Sequence, residues 1–190
     1  LAFYMGCDSR NEYIYKFVSA ANWDPKDVGG GMAAGDKYLN EGKLYAARFN
    51  ADGTGEWIEL TLADPRIARH AGFRFDNQGE IYVHTRHAAD AVGATMMDRP
   101  EWTGARPRIG GFSEVEIYCT LTNNNRRGTA PASSNKADGS TAAASARPPV
   151  DAANPREDNV YGHIIRWREA GQSVQATSFA WDLFAQNGDS

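Results

Sequence analysis

The chain has 190 residues, which suits one domain and hardly two, and 42% of them are hydrophobic and 11% aromatic, enough for a real core. A formal net charge of -4 argues against a nucleic-acid-binding surface and is compatible with cation binding. No apolar run is long enough to span a membrane.

The chain opens LAFYMGCD, which looks like the middle of a strand. With no initiator methionine and no signal peptide, it reads as a fragment or a processed chain. YIYKFVS (13–19) alternates and is rich in aromatic and β-branched residues, so it is expected to be a strand. LYAARFN (44–50) and EWIELTL (56–62) are two more, joined by ADGTG as the clearest hairpin in the chain. DNQGEIYVHTRHAADAVGA is ambiguous. GEIYVHT alternates like a strand, yet Ile81, Thr85, Ala88 and Val92 share a helical stripe, and Asn77 with Glu80 can form a capping box. HAADAV is good helix sequence, so a helix is expected over about 86–92, with a possible extension back to 80 that Gly79 weakens. VEIYCTLT (115–122), GHIIRWRE (162–169) and ATSFAWDLF (176–184) complete the strands.

Residues 126–153 are rich in Ala, Ser, Gly and Pro, with almost nothing to bury, and read as a long loop or disordered insertion. The 19 glycines favour turns. Recurring short signatures (YIYKF, LYAARF, EIYCTL, IIRW) give the texture of a β-propeller, of which this length holds about four blades at most. The expected class is therefore mainly β, a partial or fragmentary β-propeller with a short helical insertion; a twisted sandwich is the alternative.

Chemistry concentrates in Met97-Asp98-Arg99-Pro100-Glu101-Trp102. Proline pushes the preceding residue toward extended backbone, where residues two apart point the same way. Arg99 and Glu101 should then project together, with Asp98 turned away. An arginine fork suits phosphate or carboxylate, and a carboxylate suits a hard cation; the bland reading is an ion pair on a surface turn. TNNNRRG (122–128) and NPREDN (154–159) offer asparagine carbonyls and amides, or simply turns. Asp8, Arg10 and Glu12 alternate after Gly6, as a ligand-bearing strand end or a charged hairpin. His84, His87 and His163 make no zinc spacing and read as structural or surface residues. Cys7 and Cys119 are read as buried free thiols. No GxSxG elbow, phosphate-binding loop or dinucleotide fingerprint is present.

Taken together and in order, YMGCDSRNEYIYKFVS, KLYAARFNADGTGEW, RHAADAVGATMMDRPEW, YCTLTNNNRRG and NPREDNVYGHIIRWRE resemble the PhoX-type bacterial alkaline phosphatases, from Tyr4 to about Phe184 apart from the low-complexity insertion. The resemblance implies a β-propeller that hydrolyses phosphate monoesters with iron and calcium and is exported to the periplasm or secreted. It implies that Arg99 is catalytic and holds substrate phosphate, with Asn123, Asn124 and Asn159 beside the substrate. It further implies that Glu101 and Asp8 are metal ligands. The family usually carries a second aspartate where this chain has Cys7, and its upstream ligand motifs and downstream strand-rich segment are not in this chain. Residues 1–190 are thus expected to be the central segment of a longer protein, with the remaining segments as partners, and to have little or no phosphatase activity alone. A non-catalytic propeller that binds or scaffolds is the competing expectation.

Overall fold

Alternation along the strands decides how this chain packs. The computed structural model describes residues 1–133 and 145–188. In β3 (Ile14–Ser19), Ile14 and Val18 face one core while Tyr15 and Phe17 face another. β4 (Gly42–Phe49) repeats the pattern, with Tyr45, Ala47 and Phe49 on the first side and Leu44 and Ala46 on the second. β5 (Thr54–Glu59) places Trp57 on the first and Ile58 on the second. A period of two sends successive side chains to opposite faces, so one sheet serves two cores.

The remaining strands are β1 (Ala2–Gly6), β2 (Arg10–Glu12), β6 (Met97–Asp98), β7 (Pro100–Arg106), β8 (Glu116–Leu121), β9 (His163–Glu169) and β10 (Ser178–Gln186). Eight of the ten form one antiparallel sheet in the order β1-β3-β4-β5-β10-β9-β8-β7, and β2 pairs with β6 in a separate two-stranded ribbon. The large sheet curls until its first and last strands face each other, giving a nearly closed barrel. At that seam the Thr103 hydroxyl donates to the Tyr4 carbonyl at 2.9 Å. A Cβ on Gly6 would lie 2.5 Å from the Pro100 carbonyl oxygen, so the close approach of β1 to β7 requires a glycine there.

The barrel interior is aromatic, with Trp57, Trp167, Phe179 and Trp181 all buried. It also encloses an ion pair, Lys16 to Glu169 at 3.1 Å, both side chains out of solvent. Tyr4 Oη and Trp57 Nε1 donate to the Glu169 carboxylate at 2.7 and 3.1 Å, and Lys16 also donates to the Ala176 carbonyl at 2.7 Å. Desolvation lowers the lysine's pKa and raises the glutamate's, each opposed by the attraction of its partner.

The second core lies between the sheet and helices α2 (Pro65–Ala68), α3 (Gln78–Val83) and α4 (Thr85–Val92). The expected helix over 86–92 is present, and the strand-like GEIYVHT is helical as well. Asn77 caps α3 by accepting from the Glu80 amide at 3.1 Å, and the Glu80 carboxylate reaches back to the Asp76 amide at 2.6 Å. Ile81, Ala88 and Val92 are buried on one stripe, so helical burial overrides the local alternation. Helix α1 (Gly31–Leu39) had no sequence signal; the Tyr38 hydroxyl anchors it by accepting from the Asp24 amide at 2.9 Å. The hairpin at ADGTG forms as expected, with Gly53 at φ 83°.

The described flanks of the 126–153 stretch form no regular strand, but they are joined through a Ser133–Arg147 bridge and a Gly128-to-Pro148 hydrogen bond of 2.8 Å. They bury Arg127, Ala146 and Ala153, more than their composition promised. Residues 134–144, the middle of the expected low-complexity loop, lie outside the described residues. Both cysteines are free; Cys119 is buried as expected, whereas Cys7 is exposed because it sits in the turn after β1.

Candidate active site

Strands β6 and β7 are nearly one strand, broken at Arg99. β6 pairs with β2, Arg10 opposite Asp98, while β7 pairs with β8, Pro100 opposite Leu121. The chain must change partners between residues 98 and 100, and Pro100 has no N–H to give to either ladder. Arg99 accordingly adopts φ 52° rather than the extended conformation expected before a proline. This left-handed geometry costs a non-glycine residue on the order of 1–3 kcal/mol. Two backbone hydrogen bonds hold it: Arg99 N to Met97 O at 3.0 Å, and Thr122 N to Arg99 O at 3.2 Å. The bend still sends Asp98 inward and Arg99 outward, as expected.

Outside, four of the residues singled out in the sequence meet. The Arg99 guanidinium contacts Asp8 Oδ1 at 2.9 Å and donates to Asn123 Oδ1 at 2.7 Å. Glu101 lies beside Asp8. Its pKa is raised by desolvation and then by that neighbouring carboxylate, against the pull of Arg99. The cluster draws on the β1–β2 turn, the start of β7 and the segment after β8, and it is open to solvent. Trp102, next in sequence after Glu101 in β7, is 77% exposed.

Inside, Asp98 is fully buried and is the hub of a polar network. Its Oδ1 accepts from Asn124 Nδ2 at 2.8 Å and Arg127 Nε at 2.9 Å, and its Oδ2 accepts from Asn159 Nδ2 at 3.0 Å. Its amide donates to Asn154 Oδ1 at 3.0 Å. Asn124 Nδ2 also donates to Asn11 Oδ1 at 2.9 Å, and Asn11 Nδ2 donates to the Ala146 carbonyl at 2.9 Å. Arg127 spends its other donors on Met96 O at 2.7 Å, Pro149 O at 3.0 Å and Asp151 Oδ2 at 3.3 Å. His163 Nε2 donates to Ala153 O at 2.8 Å, and burial lowers its pKa, which keeps it neutral. A buried charge is tolerated only when paired and hydrogen-bonded, and every charged member here is.

Asn124 and Asn159, expected beside the substrate, are therefore buried, with their amides directed at Asp98; only Asn123 of the three faces outward. Asn123 is exposed while the adjacent Asn124 is buried, and the left-handed bend at Arg99 likewise parts Arg99 from Asp98. Asp98, Arg127, Asn11 and Asn154 carried no individual signal, since a polar or charged residue is exposed by default and its burial depends on distant partners.

An arginine fork beside an amide and two carboxylates can bind an oxyanion through the first pair and a hard cation through the second. Among the described residues no group of three or more His, Cys, Asp or Glu is placed to hold a metal ion. The class defined here is a mainly β barrel-like segment with a cluster of charged and amide side chains on a strand seam. The chain belongs to the alkaline phosphatase PhoX family, whose profile matches residues 1–190. Among solved structures it is similar to Pseudomonas fluorescens PhoX in complex with vanadate, a transition state analogue. The two are 39% identical with a TM-score of 0.72, and the match covers 96% of this chain and 28% of that one. The mainly β, propeller-like class expected from the sequence is thus the class of its structural relative. No curated protein matches the chain.

Proposed function

We propose that the protein containing this segment hydrolyses phosphate monoesters with metal assistance. The observation that carries the reading is the convergence of Asp8, Arg99, Glu101 and Asn123 at one mouth, in a chain whose relative binds a phosphoryl transition state analogue. Arg99 binds two phosphoryl oxygens and neutralises charge that develops in the transition state. Asn123 orients that guanidinium through its carbonyl and keeps its amide hydrogens for a phosphoryl oxygen. Glu101 and Asp8 are hard oxygen donors and fit part of a calcium shell, while iron needs further ligands from other segments. A bound cation would act as a Lewis acid on the phosphoryl group. In this reading residues 1–190 are the central segment of a longer, periplasmic or secreted protein, and calcium and iron are its metals.

The test is Arg99→Ala in the full-length protein. Removing a preorganised donor from a developing oxyanion costs about 10²–10³ in turnover. A loss of kcat/KM of that size on a phosphate monoester is expected; wild-type rates would remove Arg99 from the mechanism.

A further inference from the structure

We infer that Asp98 and Asn124 are positioning residues, a buried rung that sets the geometry of the exposed Arg99–Asn123 rung directly above it. The inference rests on the reading of Arg99 and Asn123 as a phosphate-binding pair. Two consecutive residues on each side are cross-linked at once. Asp98 to Asn124 spans 2.8 Å inside, and Arg99 to Asn123 spans 2.7 Å outside. The backbone bond from Thr122 N to Arg99 O, 3.2 Å, ties the same two segments.

The third segment of the site is tethered to the same rung. Asn124 Nδ2 reaches Asn11, three residues beyond Asp8. The described residues contain four non-glycine residues with positive φ, namely Asn11, Arg99, Asp158 and Gln172. The first two lie in the segments that Asp98 and Asn124 join, and Asp158 precedes Asn159, whose amide Asp98 also holds. Strained backbone persists only where its surroundings over-determine it, and strain gathered around one hub is the mark of a preorganised site. A guanidinium on a flexible stem would otherwise lose conformational freedom when it grips an anion. Asp98 and Asn124 fix the backbone from which it projects, without touching the substrate.

The experiment compares Asp98→Asn and Asn124→Ala in the full-length protein. Asp98→Asn leaves Arg127 without its main counter-charge and can fail to fold. Asn124→Ala keeps the Asp98–Arg127 pair and removes the side-chain links from Asn124 to Asp98, to Asn11 and to the Arg126 amide. Inhibition constants for inorganic phosphate and for vanadate, and the KM for a phosphate monoester, are measured on the folded fraction. A rise of about tenfold or more in these constants is expected, because the clamp is then no longer preorganised. A purely structural role would lower the melting temperature and the folded yield and leave the constants of the folded protein alone; that result overturns the inference. If the wild-type protein is inhibited by neither ion, the phosphatase reading fails, and hydrogen exchange then decides the positioning role. Faster exchange at the Thr122 amide in Asn124→Ala, with the β9 and β10 amides unchanged, would support it; unchanged exchange at Thr122 would overturn it.

Discussion

At the scale of single residues, Glu12 is the side chain with the clearest titration behaviour. It is buried beside Arg86, whose Nε lies 3.4 Å away, and near Asp90, which also pairs with Arg86 at 3.1 Å and with the Tyr13 hydroxyl. Desolvation, opposed by Arg86 and reinforced by Asp90, raises its pKa to about 7. The folded state therefore holds a proton that the unfolded state has already released between the ordinary glutamate pKa and about pH 7. Stability falls as pH rises through that window and is level above it. Glu12→Gln should remove this slope. The substituted protein is expected to be more stable than wild type by about 3 kcal/mol at pH 8 and nearly equal to it below pH 4. Melting temperatures of the two proteins from pH 4 to pH 8 check this; parallel curves would show that Glu12 does not titrate in that range.

Among the elements, the β1–β7 seam matters most, because it brings Asp8 to Arg99. β1 ends at Gly6 and β7 begins at Pro100, and these two backbones touch. A methyl at residue 6 meets the carbonyl of Pro100 itself, which cannot rotate away as a side chain would. Gly6→Ala should cost about 1–3 kcal/mol, the range for overpacking a close-packed site. It should also weaken phosphate binding, since prising the strands apart draws Asp8 from Arg99. A melting temperature and a phosphate inhibition constant, taken together on the full-length protein, test both effects. A wild-type melting temperature would mean that the strands part at no cost.

For the whole molecule, the outcome depends on what lies around this segment. Asp8 and Glu101 are two carboxylates, and a calcium shell takes six to eight oxygens. The isolated segment is therefore expected to retain little metal and little phosphatase activity, while the full-length protein carries iron and calcium and turns over. Metal content by mass spectrometry, with activity measured alongside on both, checks this. Robust turnover by the segment would refute its incompleteness. Absence of bound metal from both would favour a non-catalytic binding module, and chelation that leaves full-length activity intact would remove metals from the mechanism.

Much of this was legible in the residues themselves. The strands at 13–19, 44–50 and 56–62 and the helix ending at Val92 all follow from local pattern, because periodicity and turn chemistry act over a few residues. The family was legible too, from five ordered motifs. Closure of the sheet, the meeting of Asp8 with Arg99, and the division of Asn123 from Asn124 and Asn159 depend on contacts between segments distant in sequence. The same holds for Asp98: nothing local distinguishes a surface aspartate from a buried hub. Only the arrival of Asn124, Arg127 and Asn159 from elsewhere in the chain compensates the cost of burying its charge. Sequence pattern determined which elements form and which family they belong to; tertiary packing decided which polar groups stay at the surface and which are buried in a network, because desolvation is a property of the assembled interior.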